Sequence, residues 1–118
     1  MAITEWNILK DRFLRTDQNT RLKSLALNLA RLQLVAHGGT DEAVARHLIR
    51  ESQLLIEWTV PRLNLETDTA LATDLVNLQR SLSRWKLDDS DWWRSEAKRQ
   101  ELSLLAQEWG DRLQPDND

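Results

Sequence analysis

Apolar residues recur along this chain at alternating steps of three and four, the spacing that keeps them on one side of an α-helix. No segment shows the period-two alternation of a half-buried strand. The first helical segment runs from about Glu5 to Arg15, with Trp6, Leu9 and Phe13 on its inner side. Thr4 is its expected N-cap, and Ile3 and Ile8 fit a hydrophobic staple around that cap. A second helix opens at Asp17 and stops at Gly38-Gly39, where a left-handed C-cap costs least. Leu22, Leu25, Leu29, Leu32 and Ala36 form one seam of it, and Leu27, Ala30 and Leu34 form a second seam beside the first. Arg21, Ser24, Asn28 and Arg31 make its one continuous polar stripe. A bundle helix in a monomer needs an apolar stripe only about 100° wide or somewhat more. The second seam therefore calls for a cover, supplied either by the first helix or by a second subunit.

Thr40 is the expected cap of a third helix, with Asp41 and Glu42 in its first turn, where the helix dipole favours negative charge. Val44, Leu48, Leu55 and Trp58 mark its inner face, broken by Glu51 and continued sideways by Ala45, Ile49, Ser52 and Ile56. Pro61 ends it near Thr59, because the residue before a proline is pushed out of helical geometry. Asn64 or Thr67 caps a fourth helix, whose seam of Leu71, Leu75, Leu78, Leu82 and Trp85 is the most regular in the chain. An acidic turn from Leu87 to Asp91 and the pair Trp92-Trp93 lead to a fifth helix, capped by Ser95. It carries Ala97, Leu102, Leu105, Ala106, Trp109 and Leu113, and ends before Pro115. Short loops make successive helices antiparallel neighbours. The expected architecture is all-α: one domain over residues 1–118, with a short leading helix at about 5–15 and an up-and-down four-helix bundle over about 17–114.

Composition narrows the chemistry. The 118 residues are 41% hydrophobic, enough for one packed core. With no cysteine, disulfides, zinc fingers, iron–sulfur clusters and thiol nucleophiles are excluded. A formal charge of −3 argues against a general nucleic-acid binder. The start has neither a basic n-region nor an apolar h-region, and the stretch from Leu25 to Ala36 is far short of the roughly 20 residues a bilayer needs. A cytoplasmic chain without membrane contact is the expectation.

Di-metal bundles need a Glu three residues before a His, so that both ligands share a face. Leu34 and Val44 stand at those positions before His37 and His47, so no metal site is expected. His47 and Glu51, four apart, read as a surface pair beside Arg46 and Arg50. No glycine-flanked serine or phosphate-cradling glycine loop is present, and neither a cofactor nor a small-molecule substrate is indicated. Basic groups such as Lys10, Arg12, Arg15, Arg21 and Lys23 stand beside acids and read as solvated faces.

Arg31 precedes His37 by six residues near a helix end, which resembles the Arg/His signature of the HEPN ribonucleases, small all-helical domains. That resemblance implies metal-independent RNA cleavage, with Arg31 stabilising phosphate charge and His37 moving a proton. Leu32 stands where the signature commonly has a polar residue. Six helical steps also turn the two side chains about 120° apart.

Six tryptophans accompany one Phe and no Tyr. Trp6, Trp58, Trp85 and Trp109 fall on apolar faces and are expected in the core. Trp92 and Trp93 are adjacent and cannot both face one core in a regular segment. They either clamp the corner between the last two helices or present an indole to a partner. The segments Thr4-Glu5-Trp6, Arg21 to Arg31 and Ile56-Glu57-Trp58-Thr59 resemble small all-helical proteins of cyanobacteria; the likeness spans the first half and carries no activity. The functional expectation is a non-enzymatic protein-interaction or adaptor module, contacting another protein or forming a homodimer through Leu27, Leu34, Trp92 and Trp93. The HEPN-like ribonuclease using Arg31 and His37 is the alternative.

Overall fold

A computed structural model describes residues 5–88 and 91–113, and every regular element among them is helical. Helix α1 spans Glu5–Leu14, α2 Gln18–Gly38, α3 Glu42–Thr59, α4 Thr69–Leu87 and α5 Glu96–Leu113. Single turns of 3-10 helix follow α3 at Val60–Arg62 and precede α5 at Trp92–Arg94. The Thr4 cap, the Ile3 half of the staple, Asp89 and Ser90 of the acidic turn, and Pro115 lie outside the described residues.

Two of the expected caps are in place. Asp17 accepts the Thr20 amide at 2.8 Å, and Ser95 accepts the Lys98 amide at 3.2 Å. Gly39 closes α2 at φ 63°, its amide donating to the Val35 carbonyl. Three expectations are corrected. Asp41, not Thr40, caps α3, because its carboxylate reaches the Val44 amide at 3.1 Å. Neither Asn64 nor Thr67 caps α4: Asp68 holds the cap position without a side-chain bond to the helix. Asp68 and Asn64 are instead spent within the loop, Asp68 accepting the Asn64 amide and Asn64 the Glu66 amide. Helix α3 does end at Thr59 as expected, but not through pre-proline geometry: Val60, directly before Pro61, keeps helical φ −56°, ψ −46° and donates to the Ile56 carbonyl. Pro61 is tolerated at the start of a new 3-10 turn, where its missing N–H leaves no partner unmet.

Helix α2 is central to the packing. It lies along α5 and α3, and α3 in turn packs against α4. The α2–α5 pair is antiparallel: His37 meets Gln100, Gln33 meets Ser103, and Ala26 and Leu29 meet Gly110. Leu25, Leu29 and Leu32 of α2 join Ile49, Leu78 and Leu102 in a core from which water is excluded. Between α4 and α5 an open groove of 480 Å³ remains, with Trp85, Leu104 and Leu105 among its walls.

The tryptophans depart from expectation. Trp6, Trp58, Trp85 and Trp109 are only half-buried, and the deepest indole is Trp92 at 1% exposure. Packed against its own chain, Trp92 belongs to the core and not to a contact surface; Trp93 is half-buried beside it. The 3-10 turn splits the adjacent pair, one ring inward and one partly outward, and joins them edge-on at 5.8 Å. Trp85 meets Trp92 edge-on at 5.0 Å, while Arg46 and Arg99 lie over the Trp92 and Trp93 rings.

Candidate functional site

The rotation of α2 about its own axis decides which side chains are available. Its seam of Leu22, Leu25, Leu29, Leu32 and Ala36 is buried. The polar stripe does not face water as a whole: Asn28 is only 4% exposed and donates from Nδ2 to Glu51 Oε1 on α3 at 2.8 Å. That bond satisfies a buried amide and ties α2 to α3. The second apolar seam is thereby turned outward, with Leu27 at 51% and Leu34 at 70% exposure and Ala30 between them. Helix α1 therefore does not cover this seam.

Helix α1 instead lies against α3, its Trp6 stacked on His47 at 5.2 Å and its Phe13 tilted against Trp58 at 5.9 Å. A groove of 240 Å³ opens between α1, α2 and α3. Leu9, Phe13, Leu27 and Leu55 give it apolar walls, and Arg12, Arg31, Asn28 and Glu51 supply its polar groups. Glu51 is fully engaged: one oxygen takes the Asn28 amide, and the other lies 3.4 Å from His47 Nε2. The pair read from sequence as a surface contact is thus the middle of a chain running Trp6, His47, Glu51, Asn28. Sequence offered the four-residue spacing of His47 and Glu51, but no signal that Asn28, 23 residues earlier, would complete the chain.

Arg31 and His37 are not brought together. Arg31 opens into the α1–α2–α3 groove, whereas His37 turns to α5, its Nδ1 2.9 Å from Gln100 Oε1. Gln100 also donates to the His37 carbonyl at 3.3 Å, so the imidazole is part of a helix-end clasp. Leu34 lies between the two on the helix surface. Among the described residues no group of three His, Asp or Glu side chains converges as a metal site, and no helix is long and apolar enough to cross a membrane. At the entrance to α2 the Thr20 amide, and then the Thr20 hydroxyl, hold the Asp17 carboxyl below its usual value of 3.8, with Arg21 and Lys23 adding weaker attraction.

Charge is distributed unevenly around this groove. Residues 1–40 carry six Lys or Arg against three Asp or Glu, while residues 41–118 carry ten against sixteen. Helix α2 has no acidic residue at all. The charged side chains that α2 itself brings to the surface next to Leu27 and Leu34 are therefore all basic, on a protein whose net charge is negative. No family model matches the chain, and no curated protein or solved structure matches it either.

Proposed function

We propose that the chain is a non-enzymatic protein-interaction module of the cytoplasm, contacting another protein or a second copy through the outward face of α2. The observation that carries this reading is Leu34, 70% exposed at the C-terminal end of an apolar seam that no described element of the chain covers. A Leu side chain gains about 1.5–3 kcal/mol on full burial, so an uncovered seam is a standing drive toward association. In this reading α2 to α5 close as an up-and-down four-helix bundle that holds the seam rigid, and α1 is an accessory rim. The antiparallel pairing of α2 with α5 supports that topology, as does the ion pair of Arg112 with Asp74 at 3.9 Å between α5 and α4.

The HEPN-like ribonuclease reading needs Arg31 and His37 in one groove. Their separation onto the α3 and α5 sides of α2 weighs against it. Folded protein is expected to leave RNA intact in metal-free buffer; cleavage abolished by His37→Ala would establish the nuclease instead.

The interaction reading is tested by placing a photo-crosslinking amino acid at position 34, and separately at exposed Asn77 on α4, in the cells that make the protein. A discrete adduct from position 34 and none from position 77 is expected. The same adducts from both positions, or none from either, would overturn it.

A further inference from the structure

We propose that the groove framed by α1, α2 and α3, with the exposed seam beside it, receives an acidic amphipathic helix of another protein. This names the partner class of the interaction face proposed above and rests on that reading. Three observations point to it. First, the groove's acid is already engaged and its cations are not. Glu51 is held by Asn28 and His47, while among the described residues neither Arg12 nor Arg31 forms an ion pair. Second, the apolar component is continuous with those cations. Leu27 both lines the groove and stands 51% exposed, Leu34 follows two turns later, and Ile8 of α1 is 53% exposed. Third, the separation of Leu27 and Leu34 is about 10 Å along the helix axis, two turns of any helix laid alongside. A ligand helix with apolar residues on one face and carboxylates flanking them would meet aliphatic side chains and guanidinium groups together.

The same observations weigh against two other occupants. A second copy presenting its own α2 face would set Lys23, Arg31 and His37 against their counterparts, and α2 has no acid to answer them. Like charges juxtaposed at an interface oppose association. A single-stranded nucleic acid binds by stacking its bases on aromatic faces. Here the exposed groups are aliphatic, and Trp6 is already stacked on His47.

The test uses the full chain and a labelled helical peptide of about 18 residues, five turns, with Leu at i, i+3, i+4 and i+7 and Glu on the flanking positions. Fluorescence anisotropy should show saturable one-to-one binding that weakens as salt is raised. R12E/R31E, a double variant of exposed side chains, should lose at least about tenfold in affinity while keeping its helical spectrum. The peptide with Lys in place of Glu should bind the double variant better than the wild type. Failure of the acidic peptide to bind folded protein, or equal binding by R12E/R31E, would overturn the proposal. So would tighter binding of oligouridine that R12E/R31E abolishes, or a dimer in sedimentation that Leu34→Asp dissolves. A specific adduct from position 34 without peptide binding would leave the interaction module standing and remove only its acidic partner.

Discussion

Helices α5 and α1 both lean on the α2–α3 pair, and they do so in opposite ways. Helix α5 follows α2 over most of its length, with Gly110 facing Ala26 and Leu29 and Ser103 donating to the Gln33 carbonyl between the ends. Helix α1 is ten residues long and is held on α3 mainly through two aromatic contacts, Trp6 on His47 and Phe13 on Trp58. Isolated helices shorter than about 12–15 residues are marginal in water, so α1 owes its shape to those contacts. The difference separates an extended structural seam from a rim held at two points, and it is the rim that borders the candidate groove.

The largest effect should come from the seam. Leu102→Ala removes a side chain with no exposure and is expected to cost about 2–5 kcal/mol in denaturant unfolding. Trp6→Ala should leave the global midpoint close to wild type, while hydrogen exchange shows the α1 amides opening well below the global free energy. Equal losses from the two variants would erase the distinction between seam and rim. Next in size is Gly39→Ala, where φ is 63° and a Cβ would lie 1.9 Å from the Arg99 guanidinium. Arg99 can swing away, but the left-handed backbone cannot relax, so a loss of about 1–2 kcal/mol is expected in the same assay.

Gly110→Ala sharpens the seam in the other direction. A Cβ there would sit 3.7 Å from both the Ala26 carbonyl oxygen and the Leu29 Cβ, an ordinary contact. Removing a glycine from a helix interior gains about 0.5–1 kcal/mol, so the melting temperature should rise; a fall would mean that the helices are already at closest approach. The smallest effect belongs to the junction of α1 and α2. Asp17 has its carboxyl held below 3.8, so its capping contribution is present above that pH and is lost as pH falls through the lowered value. Asp17→Ala should therefore melt below wild type at neutral pH, and the gap between them should close on acidification below about pH 3.8.

The sequence was most readable where structure depends on near neighbours. The number and order of the helices, the Asp17 and Ser95 caps and the Gly39 stop follow from spacing and from hydrogen-bonding side chains within a few residues. What it could not convey was rotation about each helix axis. Helix α2 offers two apolar seams and one polar stripe, and periodicity alone does not rank them. Asn28 settles the matter by pairing with Glu51 on another helix, which turns Leu34 to the outside. The depth of each tryptophan is hidden for a related reason. Trp6, Trp58, Trp85 and Trp109 each sit on an apolar side of a helix, yet at the margin of the shared core, and an irregular turn carried Trp92 to its centre. Arg31 and His37 show the converse: a spacing that looked chemical was divided between two neighbouring helices.

The edge-on row of Trp85, Trp92 and Trp93 also has an optical consequence. Transition dipoles at 5.0 and 5.8 Å exchange excitation, so their absorption bands split and their emission loses polarisation as the energy hops between rings. Circular dichroism of this protein will carry an indole signal laid over the helix bands, and helix content read from those bands alone will be distorted. The same coupling makes the far end of the molecule its own reporter: any event that parts Trp92 from either neighbour will collapse the split band before the helices themselves have changed.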